Sequence, residues 1–305
     1  MLTRRRFLTG ALGATGALLG CQTLTQSERK RQIIDAQVHL WKADTPDWRW
    51  VSGAKPQLPE PMTIERVLPL MDEAGVDRVI IVPPTLNDRN DYALEAAKRY
   101  PNRFAVMGRI PLADPASPAR IPKWKEPGML GVRLTFNTPA TIKWLSDGTA
   151  DWFWPAAEKA GLPVMVLAFG RMPQIAPIAE RHPGLPIIID HMGVNNVINK
   201  EGRMAAAIGE TVALAKYPNV TVKLSAVPGF SSEPYPFRDM TPHLKRLIEA
   251  YGAQRCFWGT DITHQRGKYP YRKYVEHFEQ ELAFLSDADR KLVMGEAILK
   301  FLDWR

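Results

Sequence analysis

Short apolar runs rich in β-branched residues recur along the chain and alternate with segments whose apolar residues repeat at helical spacing. The runs predict buried strands and the segments between them predict amphipathic helices. The predicted strands cover residues 33–41, 77–83, 104–110, 130–136, 163–169, 186–191, 220–225 and 256–261. The predicted helices cover residues 63–74, 88–100, 151–160, 173–182, 240–251, 271–284 and 287–302. This alternation is typical of α/β proteins with a parallel sheet.

Eight strands with helices between them are enough to close a (β/α)8 barrel, the TIM-barrel architecture. A doubly wound open sheet is the alternative, but no G-x-G-x-x-G motif follows the first strand to support it. No internal repeat or interdomain linker interrupts the pattern. We therefore expect a single domain over residues 33–305.

The first predicted strand, residues 33–41, carries three polar residues spaced two apart: Asp35, Gln37 and His39. Alternate residues of a strand share a face, so the three side chains are predicted to point the same way. Buried polar groups are costly without partners. A functional site is the favoured interpretation, and a strand with an outward polar face is the alternative.

The N-terminus has the pattern of a targeting segment. Arg4, Arg5 and Arg6 precede an apolar run over residues 9–20 that is too short to span a bilayer. Residues 1–20 resemble a twin-arginine export signal, and the sequence Leu-Leu-Gly-Cys that ends at Cys21 resembles a lipobox. We expect lipidation at Cys21, a tether over 21–32 and a membrane-anchored protein in the periplasm. Ordinary cleavage of the signal is the alternative.

Charge and cysteine content narrow the choice of partners. The net charge of the 305 residues is +8, and it falls to +5 without residues 1–20, which hold three arginines and no acid. The excess is spread along the chain, which argues against nucleic-acid binding and favours either a solvated surface or attraction for small acidic molecules. With Cys21 lipidated, Cys256 alone remains, so no disulfide is expected.

Polar side chains gather at the carboxyl ends of the predicted strands. In a (β/α)8 barrel these ends form the rim that carries the active site. The predicted rim residues are Gln37, His39, Arg109, Arg133, Asp190, His191, Lys223, Ser225 and Asp261. The joint pattern is more specific than any one member.

Two long irregular segments, 41–62 and 226–238, follow strands and so belong to the same rim. Their aromatic residues are Trp48, Trp50, Phe230, Tyr235 and Phe237. Such loops either cover a small ring-shaped ligand or pack on themselves. Trp50 is our candidate for a substrate contact.

Several motifs resemble the amidohydrolase-2 family of the amidohydrolase superfamily, in particular its sugar-lactonase, fuconolactonase-like branch. The matching segments are 35–39 (Asp-Ala-Gln-Val-His), 128–133 (Gly-Met-Leu-Gly-Val-Arg), 190–193 (Asp-His-Met-Gly), 222–225 (Val-Lys-Leu-Ser) and 257–261 (Phe-Trp-Gly-Thr-Asp). The segment 295–297 reads Gly-Glu-Ala where the family usually has Gly-Asn-Ala. The resemblance covers nearly all of the chain after the leader and implies the same barrel.

The resemblance also implies a metal site from which this chain departs. Mononuclear members hold zinc with two histidines of the first motif, a strand-five histidine and the strand-eight aspartate. Here His39 and Asp261 are present, but Gln37 replaces one histidine and the strand-five end, 166–169, has none. A catalytic zinc normally needs three protein ligands. We expect that no cofactor is required. The alternative is weak zinc binding, with His191 as a third ligand.

The resemblance implies an exported hydrolase that opens a lactone or similar cyclic ester, on a substrate that is anionic or sugar-like. Asp261 is the candidate base, and His39, His191 and Lys223 are candidates for stabilising the oxyanion. Arg109 and Arg133 are candidates for binding a substrate carboxylate, unless they pair with Asp190. Gln37, Ser225 and Trp50 complete the predicted substrate-binding set. The alternatives are a metal-dependent carbon–carbon lyase and a catalytically inactive, lipid-tethered ligand-binding barrel; the oligomeric state stays open.

Overall fold

The computed structural model describes residues 31–87, 89–264 and 268–304. The predicted signal 1–20, the lipidation site Cys21 and the tether up to residue 30 lie outside these residues. Within them, no helix combines the length and apolar character needed to cross a membrane.

Eight parallel strands form one sheet in the order of the sequence, each strand paired with the next. They are β1 (Ile34–Val38), β2 (Arg78–Ile81), β3 (Phe104–Gly108), β4 (Met129–Thr135), β5 (Val164–Leu167), β6 (Ile187–Ile189), β7 (Val220–Ser225) and β8 (Cys256–Gly259). The sheet curls so that the chain after β8 meets β1, where Asp261 N donates to the carbonyl of Gln37 at 3.0 Å. The predicted (β/α)8 barrel and its single domain are confirmed.

Helices connect successive strands around the outside of the barrel. The α-helices are α1 (Ile64–Ala74), α2 (Asp91–Arg99), α3 (Pro139–Lys143), α4 (Phe153–Lys159), α5 (Met172–Arg181), α6 (Asn196–Lys200), α7 (Met204–Ala213), α8 (Val227–Phe230), α9 (Thr241–Tyr251), α10 (Tyr271–Glu276), α11 (Asp287–Lys291) and α12 (Ala297–Leu302). Short 3-10 helices cover Pro118–Lys123, Asp190–Gly193, Leu214–Lys216, Arg238–Met240 and Ala253–Arg255.

The sequence explains where these helices begin and end. The hydroxyl of Thr63 accepts a hydrogen bond from Arg66 N and caps the start of α1. Gly75, in the left-handed region at φ 75°, ends the same helix. The two C-terminal helices differ from the prediction, because wider π-helical turns, His277–Glu281 and Leu292–Glu296, interrupt the predicted helices 271–284 and 287–302.

Apolar side chains form two layers. Alternate strand residues such as Ala36, Met165 and Phe257 fill the barrel interior. The apolar side of α12 and Trp304 pack against this interior cluster and so close the end of the barrel opposite to the rim. The larger cluster lies between the strands and the surrounding helices. The apolar interior and its plug leave only the carboxyl-end rim open for a site.

Candidate active site

A cavity of about 480 Å³ opens at the carboxyl ends of the strands. Five predicted site residues line it: Gln37, His39, Arg133, His191 and Asp261. Further lining residues are Trp41, Lys55, Pro56, Gln57, Pro83, Pro84, Thr85, Leu86, Thr135, Asn137, Leu167, Phe169, Asn195, Asn196, Val197, Phe230 and His264. The volume lies within the range of small-molecule sites.

The backbone of β1 corrects the prediction that its three polar residues share a face. The register of β1 against β2 is irregular between Asp35 and Val38, so the two-residue period is broken. Gln37 and His39 line the cavity, but Asp35 is fully buried and accepts hydrogen bonds from Thr260 Oγ1 (2.5 Å) and Tyr271 Oη (2.6 Å). Burial raises the pKa of Asp35, and these donors partly offset it. Asp35 therefore holds β1 against β8.

Two site residues lie just beyond short strands in a strained conformation. Asp261 (φ 49°) and His191 (φ 51°) are in the left-handed region, and Met192 (φ 59°) continues it. Residues other than glycine occupy this region at a cost of roughly 1–3 kcal/mol each, and such positions cluster at functional sites. The turns bring an imidazole of one strand end and a carboxylate of another into the same cavity.

His39 and Asp261 form a buried pair. His39 Nδ1 lies 2.6 Å from the carbonyl of Val82 and must carry a hydrogen, because a carbonyl only accepts. His39 Nε2 lies 3.2 Å from Asp261 Oδ1. Burial by itself would raise the pKa of Asp261, but the hydrogen bond from His39 and the nearby imidazoles hold it below its usual value. The carboxylate therefore stays ionised at neutral pH and is available to accept a proton.

His191 lies on the other side of the carboxylate, with Nε2 3.5 Å from Asp261 Oδ2. Its Nδ1 is 2.8 Å from Ser225 Oγ, and its ring packs between Phe169 and Phe230. Burial lowers the pKa of His191 to about 4, so the ring is neutral. Ser225 does not line the cavity; it orients His191, which corrects its predicted contact with substrate.

Lys223 is fully buried and does not reach the cavity, which corrects its predicted contact with the oxyanion. Its ammonium donates to Gln37 Oε1 and lies 2.8 Å from Asp190 Oδ1. A lysine only donates, so the oxygen of the Gln37 amide must face it and the amide nitrogen must face the opposite way. That nitrogen lies 3.3 Å from His39 Nε2 and 3.2 Å from His191 Nε2.

Asp190 joins two cations beneath the cavity. Arg133 Nε lies 3.1 Å from Asp190 Oδ2, and Lys223 contacts the other carboxylate oxygen. Burial works against ionisation of Asp190, but the charges of Lys223 and Arg133 outweigh it and lower the pKa of this carboxyl. Arg133 also donates to Thr135 Oγ1 at 2.5 Å. The predicted pairing with Asp190 is thus made by Arg133, which still lines the cavity.

Arg109 and Trp50 do not line the cavity, and their predicted contacts with substrate are corrected. Arg109 Nη1 donates to Thr135 Oγ1 at 3.0 Å, the hydroxyl that Arg133 also contacts. Trp50 Nε1 donates to the carbonyl of Lys42, so this ring packs within its own loop. A strand-end position places a residue at the rim, but neighbouring side chains decide whether it reaches the opening.

Sequence reasoning missed several lining residues. Thr135 is two residues beyond Arg133 on β4, so the strand period was a usable signal for it. His264 follows Asp261 by one turn, and its N–H donates to the carbonyl of Asp261. Lys55 and Asn195 come from loops, whose course no pattern in the sequence predicts.

The aromatic loops mostly pack on themselves. The Trp48 ring is covered by Arg89, 3.9 Å from its centroid, and meets Tyr92 edge to face. Phe237 is fully buried, and its ring contacts Tyr235. Of the predicted aromatic cover, Phe230 alone among the described residues lines the cavity.

The donor set matches the zinc site implied by the resemblance only in part. His39 and Asp261 are adjacent and His191 is near, but Gln37 presents an amide N–H to both imidazoles. Across the described residues, no group of three or more His, Cys, Asp or Glu side chains is arranged to hold a metal ion. The residues do not fit a closed four-ligand site.

Solved structures share the fold. An amidohydrolase from Burkholderia multivorans with bound zinc superposes with a TM-score of 0.73 at 20% identity, covering 89% of this chain and 99% of that one. A putative 2-pyrone-4,6-dicarboxylic acid hydrolase from Pseudomonas putida gives 0.74 at 20% identity, covering 90% and 99%. A 5-carboxyvanillate decarboxylase from Novosphingobium aromaticivorans with bound manganese gives 0.64 at 17% identity, covering 92% and 99%.

A sequence relative extends the comparison. An L-fucono-1,5-lactonase from Burkholderia ambifaria is 28% identical over 260 residues, which are 83% of this chain and 85% of that protein. The predicted family and the predicted hydrolase class are confirmed, because the family model for amidohydrolases matches residues 34–304 and the chain therefore belongs to the amidohydrolase family.

Proposed function

We propose that this protein hydrolyses a lactone that carries an anionic or sugar-like substituent. The observation that carries the proposal is the charge pattern of the cavity. Asp261 is the one carboxylate among the described lining residues, and it is flanked by His39 and His191. The other charged lining residues, Arg133 and Lys55, are cations. Such a cavity attracts an anionic ester and places one proton acceptor beside it.

Hydrolysis begins with water held at Asp261. The carboxylate takes a proton as the water oxygen attacks the lactone carbonyl, which becomes a tetrahedral oxyanion. The guanidinium N–H groups of Arg133 at the cavity are the donors that stabilise this oxygen. The ring C–O bond then breaks, and its alkoxide receives the proton from Asp261. One lactone and one water give one hydroxy acid.

The surrounding residues keep the reacting groups in place. Ser225 orients His191, and Val82 orients His39 through its carbonyl. His39 donates Nδ1–H to Val82, which turns its Nε2 toward Asp261.

Two neighbours on this fold hold zinc or manganese, so a divalent ion is plausible here, and the comparisons give no support to the expectation that none is required. His39, His191 and Asp261 would be the donors. Because Gln37 turns an N–H toward them, we derive no step through a metal.

Two alternatives remain from the sequence. A carbon–carbon lyase is favoured by the decarboxylase neighbour, but that protein binds manganese and the donor set here is incomplete. An inactive binding barrel is disfavoured by Asp261, an ionised carboxylate that lies between His39 and His191 in the cavity and can accept a proton from water.

We also propose that the chain is exported by its twin-arginine segment and tethered at Cys21. The support is the sequence pattern of residues 1–21. The protein would then meet its substrate in the periplasm.

Turnover of a compound panel tests the function. The panel holds aldonolactones, carboxylated unsaturated lactones and aromatic carboxylic acids, each with and without chelator. Ring opening, monitored as the uptake of base at constant pH, supports the lactonase. Release of carbon dioxide from an aromatic acid would establish the lyase. Tight binding of a lactone with no turnover, in protein both with and without added zinc, would establish the binding barrel.

A further inference from the structure

The contact between Lys223 and Gln37 determines which atom of the Gln37 amide is left to face the cavity. Lys223 is fully buried and does not reach the cavity, so its ammonium cannot exchange the amide oxygen for water. The ammonium occupies the amide oxygen of Gln37, which is the one atom of that side chain able to bind a metal ion. The amide nitrogen, which cannot, is turned toward the two imidazoles, within 3.3 Å of each Nε2.

We propose that Lys223 and Gln37 act as one unit that takes the place of a divalent metal at the mouth of this barrel. The ammonium polarises the amide, and a polarised amide is a stronger N–H donor. The amide nitrogen lies within 3.3 Å of both imidazole Nε2 atoms, so its N–H groups face the atoms that would otherwise ligate a metal ion. Gln37 therefore holds the two imidazoles as a bound metal ion would, and Lys223 is its positioning residue.

The balance of buried charge supports the proposal independently. Asp190 and Asp261 carry two negative charges, and Lys223 and Arg133 carry two positive charges, all on side chains that are at most 6% exposed. Their formal charges already cancel. A divalent ion would add two positive charges close to a buried ammonium, where repulsion is poorly screened.

The contact of Gln37 with His191 has a further consequence. Because the amide nitrogen only donates, His191 Nε2 must accept, and the hydrogen of the neutral ring is on Nδ1, facing Ser225. The amide thus selects the tautomer of His191, a task that a metal ion bound at Nε2 would otherwise perform.

The inference deepens the proposed lactonase function, but its main test needs no substrate. Gln37→Glu exchanges one nitrogen for oxygen, keeps the contact with Lys223, and turns a carboxylate oxygen toward both imidazoles. Gln57→Glu adds the same charge elsewhere on the same cavity and is the matched control. Zinc affinity is measured on the full chain by competition with a chromophoric chelator, and cobalt(II) absorption reports the coordination.

We expect the wild type to retain well under one equivalent of zinc. Gln37→Glu should bind zinc more tightly by roughly 10- to 100-fold, the range over which contacts around a metal site alter affinity, and should show a cobalt spectrum of low coordination number. Gln57→Glu should resemble the wild type. Lys223→Met, which frees the amide to turn its oxygen inward, should also gain zinc affinity; its melting temperature is measured alongside.

Two results would overturn the proposal. One is wild-type protein that keeps a full equivalent of zinc through dialysis against chelator. The other is a Gln37→Glu variant, folded by circular dichroism, that binds zinc no better than Gln57→Glu. Either result leaves the lactonase proposal to its own turnover test, since no substrate enters the zinc titration.

Discussion

The ammonium of Lys223 on β7 binds the amide oxygen of Gln37 on β1, 186 residues earlier in the chain. The contact determines which atom of the amide, nitrogen rather than oxygen, is directed at the two imidazoles. It links the base of the site, where Asp190 pairs with two cations, to the carboxylate at the opening.

Asp261→Asn should keep the fold and lower turnover by roughly two to four orders of magnitude, the scale of general acid–base groups. The amide cannot accept the proton of the attacking water. Turnover and melting temperature are measured on the same preparation, with the exposed Asp287→Asn as control. A variant that loses stability while turnover per folded molecule stays intact would assign Asp261 a structural role.

Asp190→Asn should chiefly affect stability. It leaves Lys223 and Arg133 buried without their shared anion, and breaking a buried pair in this way costs about 3–5 kcal/mol. Urea unfolding measures the loss. Glu201→Gln removes the exposed pair with Arg203 and should cause no resolvable change. Equal stability of the two variants would contradict the buried network.

Stability should fall as the pH is lowered from about 6.5 toward 4, in part through His277. This ring is buried against Phe237 and Phe278, with Nε2 unpaired, and burial lowers its pKa to about 4. The unfolded chain therefore binds a proton in this window that the folded chain does not, so stability rises with pH across it. His277 contributes on the order of 2–3 kcal/mol to this change in the free energy of unfolding.

His277→Met removes that titration and should flatten the pH dependence. Unfolding in urea at pH 7.5 and pH 5 compares it with the wild type. Turnover should be unchanged, because His277 does not line the cavity. An undiminished loss of stability between the two pH values would exclude His277 as its source.

Lys55→Met should raise KM for a carboxylated lactone by roughly 3- to 10-fold and leave kcat nearly constant. The side chain is exposed at the opening, where it attracts the substrate without touching the reacting atoms. A neutral lactone should show no change, nor should the surface variant Lys98→Met with either substrate. Equal effects on charged and neutral lactones would refute an electrostatic role.

Cys21→Ser should move the protein from the membrane fraction to the soluble periplasmic fraction, with its fold and turnover retained. The basis is the lipobox-like segment that ends at Cys21. Fractionation and mass spectrometry of the mature N-terminus check it. Uncleaved wild-type protein in the cytoplasm would contradict both export and lipidation.

The order and position of the eight strands could be predicted from the sequence, because each strand is an apolar run bounded by polar or helical segments. Because the carboxyl ends of barrel strands form the rim of the active site, the sequence then also identified a set of residues that line the cavity: Gln37, His39, Arg133, His191 and Asp261. These predictions succeed because burial imposes a period on the residues of each element.

Whether the side chain of a rim residue points into the cavity depends on contacts between segments that are distant in the sequence. The irregular register of β1 separated Asp35 from Gln37, and hydrogen bonds to Thr135, His191 and the Lys42 carbonyl hold Arg109, Ser225 and Trp50 away from the opening. Loop residues such as Lys55 reached it instead. Local periodicity carries no information on which of several long side chains fills a shared space.

The sequence by itself determined the barrel, the rim and the replacement of a histidine by Gln37. Tertiary structure alone decided what that replacement does. An amide can turn either its oxygen or its nitrogen to a ligand, and the two choices have opposite chemistry. Lys223 makes the choice from another strand of the barrel, because an ammonium only donates and therefore binds the amide oxygen.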